Sequence, residues 1–160
     1  LLGYARAAEA SAKKPDRNGL AVHLHTRAGS DPVCVREQWS GVNARALDKR
    51  IMIWAEFYLV DKFPDKAAYD LRQLAEDYRN WDPMKYPDFW TQIVYPDVLR
   101  LLRRKRTKRG KAPLTDDDIK ALLDGVDSYE KLKGRANELL IARKLADVMH
   151  QARGRPEVNA

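Results

Sequence analysis

Residues 43–62 carry the sequence NARALDKRIMIWAEFYLVDK, in which apolar residues recur with a helical period. The positions spaced three or four residues apart are Leu47, Ile51, Trp54 and Tyr58. Ile53, Phe57 and Val60 widen this stripe, so we expect the helix to be buried over much of its circumference. Asn43 is a suitable N-cap, because its side chain accepts a hydrogen bond from first-turn amides.

Further helices follow on the carboxyl side of this stretch. Phe63 and Pro64 end the first helix, and the pattern over 65–80 predicts a second helix. The short connection places the two helices antiparallel. Pro87 suits the first turn of a third helix, and Pro96 is expected to end that helix and open the next one.

Two more helices are predicted before the carboxyl terminus. Thr115 is a good N-cap, and the three aspartates that follow it complement the positive end of the helix dipole. Gly125 predicts a left-handed stop for this helix. The final helix is expected to begin at Asp127 or Ser128, and its apolar stripe continues to Met149.

Strand patterns are weak in this chain, and the best candidate, residues 20–24, is short. The sequence therefore predicts an all-α fold with about three irregular antiparallel helical hairpins, similar to a degenerate helical-repeat array. An extended N-terminal arm, mostly irregular, is expected over residues 1–31. A single helical domain then covers 32–153, and a fraying C-terminal tail covers 154–160.

Composition limits the class of protein. The chain has 160 residues, of which 44% are hydrophobic and 33% charged, which is typical of one globular domain. Its only cysteine is Cys34, so an internal disulfide is excluded and a reducing compartment is favoured. No apolar run approaches the roughly 20 residues that span a bilayer.

A basic run over 100–111 is the strongest functional signal. Its eight cationic residues are Arg100, Arg103, Arg104, Lys105, Arg106, Lys108, Arg109 and Lys111. The whole chain has a net charge of +7, so removing these eight charges leaves −1. Such a local concentration exceeds what a helix end requires, and it predicts an acidic partner surface.

An aromatic, proline-rich connector precedes the basic run. Trp81, Tyr86 and Trp90 are the rings that we predict to contact a partner. Exposed rings beside cations stack on nucleotide bases in some proteins. Packing of the helix junction or anchoring of a protein interface is the favoured interpretation, since no ring lies inside the basic run.

Signals for chemistry are weak throughout the sequence. His23 and His25 lie near Cys34, but the spacing and the number of ligands do not fit a zinc site. The aspartates at 116–118 lack the pattern of a calcium loop, and capping explains them. No phosphate loop or nucleophile motif is present. We therefore predict a protein that is not an enzyme, with no catalytic residue, cofactor or metal ligand.

The amino terminus suggests a location. Residues 1–14 are rich in alanine and lysine or arginine and contain one acid, which resembles the end of a mitochondrial import sequence. Residues 50–59, 63–64 and 81–87 resemble the eighteen-kilodalton accessory subunit of the euglenozoan mitochondrial F-type ATP synthase, a pentatricopeptide-like helical protein. The mass of 18.4 kDa agrees.

This resemblance implies a structural role. The chain would dock on the outside of the catalytic head, against an α subunit, on the matrix side of the inner mitochondrial membrane. Two alternatives stay open: a mitochondrial ribosomal or other RNA-binding protein that uses the basic run, and an accessory subunit of another respiratory complex.

Overall fold

A computed structural model of the chain describes residues 2–25, 32–39, 46–64, 66–80, 82, 84–104 and 114–153. These ranges contain six α-helices and one two-stranded antiparallel sheet. The elements in chain order are α1 (Leu2–Lys13), β1 (Gly19–Leu24), β2 (Val33–Gln38), α2 (Leu47–Leu59), α3 (Ala67–Asp77), α4 (Tyr95–Arg104), α5 (Asp116–Leu123) and α6 (Tyr129–Arg153). The predicted mostly helical character is confirmed, whereas a purely α class is not, because of the hairpin.

Helix α6 is the centre of the core. Both α2 and α3 pack mainly against α6, and β2 lies against it as well. Small residues on the facing surfaces, such as Ala75 on α3 and Ala142 on α6, are fully buried and permit close approach of the helices. A series of helical hairpins therefore does not organise the core: α2 and α3 are neighbours in sequence, yet each makes its main contact with α6.

The four residues predicted to form the apolar stripe of α2 are confirmed as buried. The buried residues of this helix include the four predicted from their spacing, Leu47, Ile51, Trp54 and Tyr58. The broader stripe was wrong in part, because Ile53 and Val60 are exposed. Helix α2 thus has one buried face, as is usual for a helix on the outside of a core. The predicted cap Asn43 lies outside the described residues.

The prediction of a mostly irregular N-terminal arm was wrong. Strand β1 coincides with the one strand candidate, and α1 and β2 were not expected. The hairpin is ordered because its two faces are covered by different elements. Val33 and Val35 are buried towards the helical body, while His23 on the other face contacts Ser11 of α1 at 3.0 Å. The tail over 154–160 lies outside the described residues.

Pro96 lies in the first turn of α4, as predicted, but the helical backbone is not interrupted before it. A π-helical turn over Trp90–Val94 leads directly into α4, and the Tyr95 N–H donates to the Trp90 carbonyl. A proline ring in a regular α-helix clashes with the carbonyl four residues earlier. The wider π turn separates these groups, so the chain stays helical through Pro96.

Both predicted signals at α5 are confirmed. The Thr115 hydroxyl accepts from the Asp118 N–H, and the Asp118 carboxylate accepts from the Thr115 N–H, which completes a capping box. Beyond the helix, Gly125 adopts φ 70° and turns the chain towards α6. These two features fix both ends of a helix that is only eight residues long.

The two glycines near α6 should respond to alanine in opposite directions. Gly125→Ala should destabilise the fold by about 1–2 kcal/mol, because a Cβ atom is strained at positive φ. Gly134→Ala should stabilise it by roughly 0.5–1 kcal/mol, because Gly134 lies inside α6 and a Cβ atom there meets nothing within 4 Å. Urea denaturation followed by tryptophan fluorescence measures both changes. Shifts of the same sign would show that backbone conformation does not distinguish the two positions.

Candidate functional site

The connector before α4 presents side chains outward on an ordered turn. The Asp82 carboxylate accepts from the Met84 N–H at 2.9 Å, and the Tyr86 N–H donates to the Asp82 carbonyl at 3.0 Å. These bonds hold Met84 94% exposed and Tyr86 52% exposed. Ile93, in the π turn, is a further exposed apolar residue. We call Met84, Tyr86 and Ile93 the connector surface.

The other described rings of this segment face inward. Phe89 makes an edge contact with Tyr78 at 5.7 Å between ring centroids, and Trp90 lies 6.4 Å from Tyr95. Both Phe89 and Trp90 are half-buried and pack against the core. Of the three predicted partner-binding rings, the structure therefore places Tyr86 on the surface and Trp90 partly inside, while Trp81 lies outside the described residues.

A partly buried hydroxyl joins the end of α3 to α4 beside the connector. Tyr78, which follows α3, donates a hydrogen bond to the Asp97 carboxylate in the first turn of α4. Burial and then this bond to a carboxylate raise the pKa of Tyr78 to about 12. The link fixes the position of α4, on which the first residues of the basic run lie.

This hydroxyl should make stability depend on alkaline pH. A tyrosine pKa is about 10 in an unfolded chain and about 12 here. The hydroxyl therefore makes its full contribution to the free energy of unfolding below pH 10, and this contribution is lost as the pH rises towards 12, because the unfolded chain ionises first. We expect Tyr78→Phe to remove that part of the alkaline loss. Urea denaturation at pH 9 and pH 11 measures the effect. Tyr69→Phe, which alters an exposed ring, is the control and should behave like the wild type.

The described part of the basic run carries two ion pairs with acids of the same chain. Arg100 pairs with Asp97, and Arg103 pairs with Asp116 at 2.8 Å. Both arginines are exposed, and surface pairs of this kind contribute only about 0–1 kcal/mol, so an acidic partner could displace the acids. Helix α4 ends at Arg104. The remaining predicted residues, Lys105, Arg106, Lys108, Arg109 and Lys111, lie outside the described residues.

A buried ion network lies between β2, α2 and α6. Glu138 of α6 is 6% exposed and accepts from Arg50 of α2 through both carboxylate oxygens, at 2.8 and 3.1 Å. Arg135, 8% exposed, donates to the same carboxylate at 2.7 Å and to the Asp124 carbonyl at 3.0 Å. Arg50 also pairs with Glu37 of β2 at 2.9 Å. This network was not predicted from the sequence, because its members are ordinary charged residues far apart in the chain.

Removal of the shared carboxylate should be strongly destabilising. Glu138→Ala removes the carboxylate that two largely buried guanidinium groups share, and we expect a loss of about 3–5 kcal/mol. Asp147→Ala, at an exposed position of the same helix, should change stability by less than about 0.5 kcal/mol. Urea denaturation of both variants checks the contrast, and similar losses would show that the network does not hold α2 on α6.

The polar residues proposed from sequence as weak ligand candidates have structural contacts. Asp118 accepts in the capping box and pairs with Lys62 at 2.6 Å. Burial raises the pKa of Asp118, but the hydrogen bonds from Lys62 and Thr115 outweigh it, so the pKa lies below its ordinary value. Burial raises the pKa of the Cys34 thiol. Within the described ranges, no group of three or more His, Cys, Asp or Glu side chains could hold a metal ion.

No protein-family model, curated protein or solved structure matches this chain. None of the helices in the described part of the chain is long and apolar enough to cross a membrane. Indications of function therefore come from the surfaces themselves. These are the connector surface, the start of the basic run beside it, and a groove next to the ion network.

Proposed function

We propose that this chain is a non-catalytic docking subunit of a larger protein assembly. The observation that carries the proposal is the connector surface, in which Met84 and Tyr86 are held outward by hydrogen bonds of the Asp82 turn. Apolar side chains that are exposed on an ordered turn keep their shape without a partner, and they gain burial when one binds. Methionine and aromatic residues are enriched in protein interfaces for this reason.

The charge beside this surface indicates the character of the partner. Arg100 and Arg103 lie on α4, whose apolar side buries Val98 and Leu102. Their pairs with Asp97 and Asp116 are exposed, so they are weak and exchangeable. A partner with an acidic rim around an apolar pocket would match both features. Such complementarity mainly sets orientation and association rate.

Ion pairs within the chain support a structural role for the body. The carboxylate of Glu138 is engaged by Arg50 and Arg135, and Glu76 is engaged by Lys133 at 2.7 Å and by the Tyr129 hydroxyl at 3.1 Å. These groups hold elements together within the chain. Their hydrogen-bonding capacity is largely used, so they are poor candidates for proton transfer to a substrate.

For the assembly itself, we propose the mitochondrial ATP synthase, with this chain on the outside of the catalytic head, against an α subunit. The support is the resemblance of residues 50–59, 63–64 and 81–87. An RNA-binding role, through the basic run, is the second candidate. The exposed apolar side chains of the connector surface favour a protein partner over RNA.

Native gels of mitochondria from the source organism test this proposal. The tagged chain should migrate with the catalytic head. A triple variant, Met84→Ser/Tyr86→Ser/Ile93→Ser, should be incorporated at least about tenfold less. A tenfold decrease corresponds to a loss of about 1.4 kcal/mol of binding free energy. Val148→Ser, at an exposed apolar position of α6, is the control and should incorporate normally.

The alternatives predict different results. Sedimentation with ribosomal RNA that is sensitive to ribonuclease and to salt would replace the docking proposal with RNA binding. Normal incorporation of the triple variant would show that the connector surface is not the interface. Circular dichroism of the purified variants establishes that each retains the helical fold.

A further inference from the structure

The hydrogen-bond pattern of the hairpin identifies the outer edge of β2. The register pairs Val22 with Val35 and His23 with Cys34, and the Trp39 N–H donates to the Asn18 carbonyl at 2.8 Å. Antiparallel pairs alternate between hydrogen-bonded and non-hydrogen-bonded types. The bond at Trp39 therefore fixes which residues of β2 face away from β1. The residues whose main-chain N–H and C=O groups point outward are Cys34, Arg36 and Gln38.

One of these outward main-chain groups already has a hydrogen-bond partner, which is a side-chain amide. The Asn137 side-chain amide, on α6, donates to the Cys34 carbonyl at 3.2 Å. This bond independently supports the assignment of the outer edge. Among the described residues, the outward N–H and C=O of Arg36 have no hydrogen-bond partner. The edge is thus capped at one position and open at the next.

The open edge forms one wall of a groove of about 1240 Å³. Helix α2 supplies an apolar wall through Ile53, Trp54 and Phe57, and α5 and α6 supply the charged remainder. Small-molecule pockets are usually about 300–1,000 Å³. The greater volume and open form of this groove suit a segment of polypeptide better than a small molecule.

Three of the buried polar atoms that lack a hydrogen-bond partner among the described residues belong to the helical walls of the groove. They are Nε1 of Trp54, Nε of Arg135 and Oδ1 of Asn137, and all three residues line the groove. Trp54 is only 3% exposed. Buried polar atoms without partners are rare, so each requires an explanation. The set contains donors and an acceptor, which matches the alternating groups of a peptide main chain; an anion would need donors alone.

We propose that an extended segment of a partner protein binds in this groove and adds a third strand to the hairpin at the outer edge of β2. The segment would bond to the main chain of Arg36, and its alternate side chains would pack on the Trp54 wall. An alternating apolar and polar sequence is therefore expected. This inference rests on the proposed docking function and names one element of the interface.

A second copy of this chain is a poor occupant. The edge of β2 lies beside walls from α2, α5 and α6, and in a second copy it lies in the same recess. Pairing of two such edges at the strand spacing of about 4.8 Å would bring the helical walls of both copies together, whereas a single extended segment needs the width of one strand only. A flexible segment of another protein is the partner that this geometry admits.

In the experiment, displayed random peptides are selected for binding to the full chain. The peptides have roughly ten residues, which is the upper length of common strands. The decisive variants are Arg36→Pro and Arg36→Ala. Both remove the side chain that pairs with Asp16, but only proline also removes the outward N–H. We expect the alanine variant to bind the selected peptides within about threefold of the wild type, and the proline variant to bind them at least about tenfold more weakly, in line with the loss of a well-buried hydrogen bond.

Trp54→Phe gives a second measurement, at a position outside the hairpin. It keeps an aromatic ring but removes the indole N–H, and we expect peptide binding to weaken while the fold persists. Amide hydrogen exchange should show protection at Arg36 when a peptide binds. Equal binding by the two Arg36 variants, peptides without strand-like alternation, or no protection at Arg36 would each overturn the proposal.

The result is separable from the test of docking. If the wild-type chain joins its assembly and Arg36→Pro does so equally well, the strand proposal fails while the docking function stands. If the wild-type chain joins no assembly, the docking function fails, and with it the proposal that the groove receives a partner segment.

Discussion

The bidentate contact between Arg50 and Glu138 is the constraint on which, in our interpretation, the seating of α2 on the central helix depends. The two residues are 88 positions apart, and the contact joins α2 to the central helix. Burying a charge costs several kcal/mol, so a buried pair of this kind adds little stability over apolar packing. Its geometric demand is strict, because both carboxylate oxygens must meet one planar guanidinium group. We interpret the network as the contact that selects one rotation of α2 against α6.

The same network positions the hairpin. Arg50 pairs with Glu37 on one face of β2. Arg36, which precedes Glu37 in the strand, lies on the other face, where it pairs with Asp16 and donates to the Ala12 carbonyl. Alternation along a strand directs adjacent side chains to opposite faces, so these neighbouring residues tie the strand to both layers. The hairpin is consequently held between α1 and the helical body. An edge held in this way is a rigid template for an incoming strand.

Local signals in the sequence predicted local features well. The spacing of Leu47, Ile51, Trp54 and Tyr58 identified the buried face of α2, and the Thr115 cap and Gly125 stop identified the ends of α5. These features depend on residues within one or two turns of each other. The segment over 20–24 was also recognised as the best strand candidate, and it is β1. Much of the secondary structure was therefore accessible from periodicity and capping.

Features that depend on residues far apart in the chain could not be predicted from the sequence. Strand β2 lies against α6, which follows it by about a hundred residues, and the Asn137 side chain donates to the Cys34 carbonyl across this contact. The contact of Glu138 with Arg50 gives no periodic signal, and Pro96 reads as a helix stop unless the π turn before it is known. For the candidate site, Tyr86 and Arg100 were predicted from the sequence, but the groove was not. A basic run and exposed rings are visible as composition, whereas an edge that lies beside three helices exists only after the chain has folded.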